Sequence, residues 1–305
     1  MSIISTWEAV PSRLFAIYST LFDSENGEKK DRIEAWATPP SLRRRGAEDT
    51  SESTTELFSK SLSEALRIGL VEEIDDRLKL TTAARGAGKK GQDSEDYFLA
   101  YMRRTLFDPA RSAETKQAGF MIALSWFLSS NPLRPMNFSK EPNNELRAQI
   151  GENASQMEIS VHASWQNFLY WARYLGFATI VGGVTDAEDT NSRMVIPDPI
   201  KAIESALPSI FVDANELSIE QFLLRLSAIF PVFESGTVRN EFEGMRQTPI
   251  SDRDDRLSIT TSLALQRLVD RQRLIITQDS DAKPRILDFG VRKSRVSRVA
   301  LRVAA

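Results

Sequence analysis

Cysteine is absent from this 305-residue chain, and histidine occurs once, as His162. The first absence excludes disulfide frameworks, thiolate-ligated zinc, iron–sulfur clusters and thiol nucleophiles. The second removes two-His and three-His metal sites and His-paired phosphotransfer, leaving His162 as the one base a Ser–His triad could use. Hydrolytic chemistry would then rest on carboxylates and lysine with magnesium, which moves the expectation from enzyme towards binding protein. Also missing is any run near the roughly eighteen consecutive apolar residues of a membrane span, or a basic stretch followed by an apolar one at the start. The reading is a cytoplasmic protein that needs no cofactor and no metal.

Charge is what the sequence has in quantity. There are 39 basic and 42 acidic side chains, a net of −3. Residues 1–92 carry 14 and 15, residues 93–198 carry 9 and 13, and residues 199–305 carry 16 and 14, giving −1, −4 and +2. Residues 256–305 alone hold 11 basic against 4 acidic, or +7. Phosphate binding depends on local positive charge, so the negative total does not exclude nucleic acid. The other reading of this tail is a solvated amphipathic stretch packed back through Val296, Val299, Leu301 and Val303.

Periodicity organises the chain into three segments. In residues 10–22, Val10, Leu14, Ile17, Tyr18 and Leu21 fall at helical spacing, with Pro11 suited to the first turn. Residues 30–37 give a second helix, stopped by Thr38-Pro39-Pro40. Leu57, Leu62, Leu66 and Ile68 mark a third, ended at Gly69. Residues 70–74 and 77–80 then read as strands around Asp75-Asp76. Helix, helix, helix, hairpin is the order of a winged helix. It recurs near the end: a helix over 218–230 closed by Pro231, a shorter one over 238–245, and a third over 257–269 with Ser258 or Thr260 as cap. Residues 273–277 and 285–289 then look like hairpin strands around 278–284. Between the copies, 94–178 is mostly helical, with a stripe of Tyr97, Leu99, Met102, Leu106 and Phe107 and two denser apolar runs at 120–128 and 165–177. Residues 181–190 and 194–196 suggest a small hairpin, and Pro197 and Pro199 frame a connection. The expected fold is mainly α with small β-hairpins: two winged-helix-like domains (1–92, and 199–305 with its basic tail) flanking a helical middle domain (93–198).

When a winged helix binds duplex DNA, its third helix enters the major groove and its wing can reach a neighbouring groove. The C-terminal copy offers Thr260, Thr261, Ser262, Gln266, Arg267, Arg271 and Arg273 on and after that helix, and Lys283, Arg285, Arg292, Lys293 and Arg295 around the wing. Arg and Gln can pair bidentately with bases, while hydroxyls and Lys mostly position on phosphate. The first copy offers Arg43, Arg44, Arg45, Lys60, Arg67, Lys89 and Lys90 as secondary contacts. Its Glu56, Glu64, Glu72, Glu73, Asp75 and Asp76 weaken it as a DNA reader, so the second copy is favoured.

Tests for chemistry come out negative. Arg85-Gly86-Ala87-Gly88-Lys89-Lys90-Gly91 fails the phosphate-loop pattern twice, with Ala83 at the first glycine position and Lys90 where Ser or Thr should bind magnesium. Asp252-Arg253-Asp254-Asp255 reads as a solvated loop before a magnesium site. Glu114-Thr115-Lys116 lacks the strand and upstream Pro-Asp of a nuclease core, and Ser280-Asp281-Ala282-Lys283 sits in the expected wing turn. His162 reads as an interior or interface histidine.

The segments Val10-Pro11-Ser12-Arg13-Leu14, Pro39-Pro40-Ser41-Leu42-Arg43, Tyr170-Trp171-Ala172-Arg173-Tyr174-Leu175-Gly176-Phe177 and Pro197-Asp198-Pro199, with the helix that begins Leu257-Ser258, resemble the DpdG family. The likeness spans most of the chain. The family belongs to bacterial gene clusters that place 7-deazaguanine derivatives in DNA and restrict unmodified DNA. The resemblance implies a cytoplasmic accessory protein in phage defence, beside helicase and nuclease-like partners, and supplies no catalytic residues. The resulting expectation is a non-enzymatic subunit that binds double-stranded DNA through the C-terminal module. The alternative is a scaffold whose winged helices bind partner subunits only.

Overall fold

The computed structural model describes residues 2–37, 52–86, 93–183, 193–247, 255–279 and 282–302. Just over half of the described residues are helical, with a few small antiparallel strand pairs. It divides into two compact units, 1–117 and 118–305. The units therefore part at 117/118, inside the segment read as a middle domain.

In the first unit, α1 (Pro11–Phe22) opens with proline in its first turn and buries Leu14, Ile17, Tyr18 and Leu21, as the spacing predicts. Its C-terminal carbonyls would otherwise lack partners. The Arg85 guanidinium supplies them, donating to Phe22 O (2.7 Å), Leu21 O (3.0 Å) and Ser24 O (3.2 Å). Then come α2 (Lys30–Ala37) and α3 (Glu52–Arg67). Strands β1 (Val71–Ile74) and β2 (Arg77–Leu80) pair antiparallel, Val71 opposite Leu80 and Ile74 opposite Arg77. The two residues between them, Asp75 and Asp76, have φ of 51° and 61°. Positive φ at both central positions is what a two-residue hairpin turn matching the strand twist requires, and aspartate tolerates it. Glu28 bridges to Leu78 on the free edge of β2. Gly27 permits that approach, because a Cβ there would lie 2.6 Å from Leu78 O at a φ of +70°.

The unit closes with α4 (Thr82–Arg85), α5 (Ser94–Phe107) and α6 (Pro109–Glu114). The buried face of α5 is Phe98, Tyr101, Met102, Leu106 and Phe107. Tyr97 and Leu99, assigned to that stripe from spacing, are only partly covered. Phe98 sits 5.3 Å from the Tyr18 ring and 5.6 Å from Phe15, which fixes α5 on α1.

The second unit is built around α7 (Ala118–Ser129), buried on every side from Gly119 to Leu128. Around it run β3 (Met136–Asn137), α8 (Asn143–Ile150), a 3₁₀ turn (Gly151–Met157) and α9 (His162–Tyr174). Trp165 stacks on Phe168 at 5.6 Å and meets Trp126 edge-on at 6.3 Å, and Phe168 meets Phe127 at 5.7 Å. Strands β4 (Ala178–Val181) and β5 (Met194–Pro197) form the expected hairpin, with β3 on the other edge of β5.

Directly after the prolines read as framing a connection comes a helix that the spacing does not predict: α10 (Ile200–Ile210) buries Ile200, Ile203, Ala206, Leu207 and Ile210. Pro199 precedes its first turn, and Pro208 lies in its last turn on the exposed side, so neither proline breaks it. After β6 (Glu216–Ser218), α11 (Ile219–Ile229) begins with a capping box between Ser218 and Gln221. Then follow α12 (Thr237–Gly244), α13 (Ile259–Asp270), β7 (Leu274–Thr277), β8 (Arg285–Asp288), β9 (Lys293–Val296) and β10 (Arg298–Leu301).

The expected pairing of β7 with β8 is corrected by the sheet order. Strand β10 lies between β6 and β7, and β8 pairs with β9 as a separate hairpin. Phe177 against Phe230 (5.3 Å) and Phe233 (6.0 Å) carries the aromatic core from the middle segment into the C-terminal one.

Gly236, which precedes α12, is a steric requirement. A Cβ there would fall 2.2 Å from Pro231 O and 2.8 Å from Phe233 O, backbone atoms that cannot swing away. Gly236→Ala is expected to cost about 3 kcal/mol, the upper end of ordinary overpacking, measured by urea unfolding. A change below about 1 kcal/mol would contradict this account.

Candidate nucleic-acid interface

The hydroxyls assigned to DNA contact face inward. Thr260, Thr261 and Ser262 are each at most 1% exposed. Thr260 Oγ1 donates to Ser130 O (3.0 Å), Thr261 Oγ1 donates to Glu234 (2.8 Å), and Ser262 Oγ accepts from the Asp288 amide (2.9 Å). Helical spacing identified α13 but not which of its faces meets the protein. The N-terminal turn of α13 is a structural anchor, and these three residues leave the site.

Most of the assigned cations are paired with acids from elsewhere in the sequence. Gln266 donates to Asp270 (2.9 Å). Arg267 meets Asp198 at 2.8 Å, while Arg273 and Arg271 approach Glu204 at 3.0 and 3.8 Å. Arg285 clasps Glu220 at 2.6 and 3.1 Å, Lys283 stands 3.6 Å from Asp255, and Arg298 bridges Asp279 and Glu216. Counting charge along residues 256–305 misses Asp198, Glu204, Glu216, Glu220 and Asp255, which the fold brings back. The +7 stretch is thereby largely neutralised.

The exception is the β8–β9 hairpin. Its turn is Gly290-Val291, with Gly290 at φ +84°, the positive value needed at the first position of a tight hairpin turn. Val291 is fully exposed. Arg292 lies 5.2 Å over the Phe289 ring, a contact that leaves its charge uncompensated. Lys293 and Arg295 follow on exposed β9, on one face two residues apart. Asp288 stands across from Lys293, but its carboxylate accepts from the Gly290 amide (2.9 Å). Arg292, Lys293 and Arg295 have no ion-pair partner among the described residues.

The secondary set is ion-paired where it is described. Lys60 bonds Glu8 (2.6 Å) and Glu56 (2.8 Å), and those two carboxylates hold its pKa above the ordinary lysine value. Arg67 pairs with buried Glu64 and donates to Thr115 O (2.6 Å). Arg43, Arg44, Arg45, Lys89 and Lys90 lie outside the described residues, as do Asp252 and Asp254. His162, read as an interior or interface residue, has a side chain 51% exposed beside Glu141.

A feature absent from the sequence reading lies at the start of α13. There a polar cleft of about 650 Å³ is lined by Asn131, Glu234, Arg239, Arg256, Ser258 and Asp288, among others. Glu234 accepts from the Ser258 amide (2.9 Å) and from Thr261. Burial opposes the Glu234 charge, yet the Arg239 guanidinium and the Ser258 hydrogen bonds outweigh it and hold the carboxyl below its ordinary range. No sequence signal marks this cleft, because its walls come from four separated stretches.

A family model described as DpdG-like matches residues 1–282 of the chain. No curated protein and no solved structure was found to match it.

Proposed function

We propose that this chain, which belongs to the DpdG-like family, is a non-enzymatic DNA-contacting subunit of a 7-deazaguanine DNA modification system, binding duplex phosphates through its β8–β9 hairpin. The family accounts for the 7-deazaguanine setting. The DNA contact rests on one observation: Arg292, Lys293 and Arg295 stand exposed and without acids on one short hairpin, while the other assigned cations of this unit are paired. Phosphate contacts of this kind give affinity and orientation without reading sequence.

Topology supports a winged-helix reading of both copies. In the first, α1, the Glu28 bridge, α2, α3, β1 and β2 follow the order helix, strand, helix, helix, strand, strand. In the second, the grouping read from sequence (α11, α12, α13, β7, β8) gives way to α10, β6, α11, α13, β7 and β10 in the same order, with α12 inserted before α13. The β8–β9 hairpin then occupies the place of the wing. This is a wing-led contact and not a helix-led one, since the α13 hydroxyls are buried. Among the described residues no helix is long and apolar enough to cross a membrane.

Arg292→Ala with Lys293→Ala and Arg295→Ala is expected to weaken duplex binding on the order of tenfold and to flatten the log–log salt slope by about 2–3. Fluorescence anisotropy of a labelled duplex from 50 to roughly 200 mM salt reads both. Should Arg267→Ala with Arg271→Ala give the larger loss, α13 and not the hairpin carries the contact. A second reading applies to the first unit, whose hairpin exposes Glu72, Glu73, Asp75 and Asp76. Such a surface suits a partner subunit and repels phosphate. Co-purification with another subunit, alongside no duplex binding at low salt, would leave the scaffold reading in place of the DNA reading.

A further inference from the structure

We propose that the cleft at the start of α13 is a binding site for a phosphate monoester, separate from the hairpin and independent of it. Its volume of about 650 Å³ lies within the range of small-ligand pockets, roughly 300–1,000 Å³. The lining is polar where most such pockets are apolar, which selects a hydrophilic ligand.

Three sets of donors lack acceptors. Arg239 has a side chain only 6% exposed, and its Nε donates to Glu243 at 2.5 Å. Its two Nη groups have no hydrogen-bond partner among the described residues, although the side chain borders the cleft. Beside its Glu243 ion pair and the nearby Glu234 carboxylate, a guanidinium with two open donors at the cleft is a fork suited to paired phosphate oxygens. Arg256 borders the cleft with neither an ion pair nor a side-chain hydrogen bond among the described residues. The amides of Ile259 and Thr260, in the first turn of α13, also lack acceptors among those residues. Helix N-terminal amides favour anions.

The acids that line the cleft are already engaged. Glu234 is held by Ser258 and Thr261, Glu243 by Arg239, and Asp288 by the Gly290 amide. Arg285 is neutralised by Glu220, and Arg246 packs over the Phe242 ring. The cleft therefore carries both signs, Glu234 and Glu243 facing Arg239, and its donors without acceptors are the Arg239 Nη groups, Arg256 and the two amides, which together form the face a phosphate would meet. Asn131 and Asn240 add neutral amide groups that suit the remainder of a nucleotide-like ligand. The phosphate could belong to a free mononucleotide or to the 5′ end of a nucleic-acid strand, which share this chemistry.

Isothermal titration of the full chain at fixed low ionic strength tests the site with three probes: inorganic phosphate, dTMP, and a short single strand with and without a 5′-phosphate. At least one phosphate-bearing probe is expected to bind. Arg256→Ala should weaken it about tenfold, and Arg239→Lys, which keeps the charge but loses the fork, should weaken it similarly. The hairpin triple variant should bind the probe normally, so failure here and failure of the duplex contact are distinguishable. Preference for the 5′-phosphorylated strand over dTMP identifies a strand end as the source, and equal binding identifies the small molecule. Absence of heat with every probe, or equal affinity in wild type and Arg256→Ala, overturns the proposal.

Discussion

Replacing Trp165 with alanine should lower the unfolding free energy by about 3–5 kcal/mol, the cost of a large aromatic removed from a core that cannot collapse to fill the space. Trp165 is fully buried between Trp126 and Phe168, and its indole Nε1 donates to Asn137 O at 3.2 Å. The cavity would open against α7, which is covered on all sides, so relaxation would have to move a central helix. Urea unfolding followed by tryptophan emission reads this cleanly. Trp126, Trp165 and Trp171 are buried in the second unit, whereas Trp7 and Trp36 of the first are about half exposed. The blue-shifted emission should therefore lose its cooperative transition at lower denaturant. A loss below about 1.5 kcal/mol would mean that Trp165 is not the centre of this core.

Glu234→Ala should cost about 3 kcal/mol. The carboxylate accepts from the Ser258 amide and the Thr261 hydroxyl at the start of α13 and faces Arg239. Its removal leaves two covered donors and a covered cation short of a partner. The same residue carries a pH dependence of definite sign. Its folded-state pKa lies below the ordinary value of 4.5, so the folded state holds fewer protons than the unfolded one on the acid side. The stabilisation is complete above about pH 4.5 and is lost as pH falls through the depressed folded value. Glu234→Gln should therefore be less stable than wild type at pH 7 and should show a shallower acid limb of melting temperature against pH. Parallel acid limbs in the two proteins would sink this assignment.

Periodicity was enough to locate α1, α3, α9, α11 and α13, because each presents a one-sided apolar stripe or is apolar all round. It failed at α10, where Pro197 and Pro199 read as the frame of a connection although the helix begins directly after Pro199. Sheet pairing was less accessible. Strands β7 and β8 are neighbours in sequence, and nothing in their residues shows that β10, arriving later, takes the place beside β7. The site was harder still. A window of sequence can count the arginines of residues 256–305, but it cannot see that Asp198, Glu204 and Glu220 lie against them. What the charge count did mark was the run of basic residues after Gly290, since Arg292, Lys293 and Arg295 have no acidic residue after Asp288 to meet them, although neither β9 nor β10 is signalled as a strand.

The central position of β10 has a consequence for how the protein is made. Its partner Ser218 in β6 is translated 80 residues before Arg298, the two being paired in the finished sheet. At about 5–20 residues per second, roughly 4–16 s of synthesis separates them. β6 presents an unpaired edge throughout that interval, and β7, whose Thr277 is made 21 residues before its partner Arg298, does so only for its last roughly 1–4 s. A chain that ends after the β8–β9 hairpin and before β10 would thus display two strands awaiting their shared neighbour, edges open to pairing with another chain.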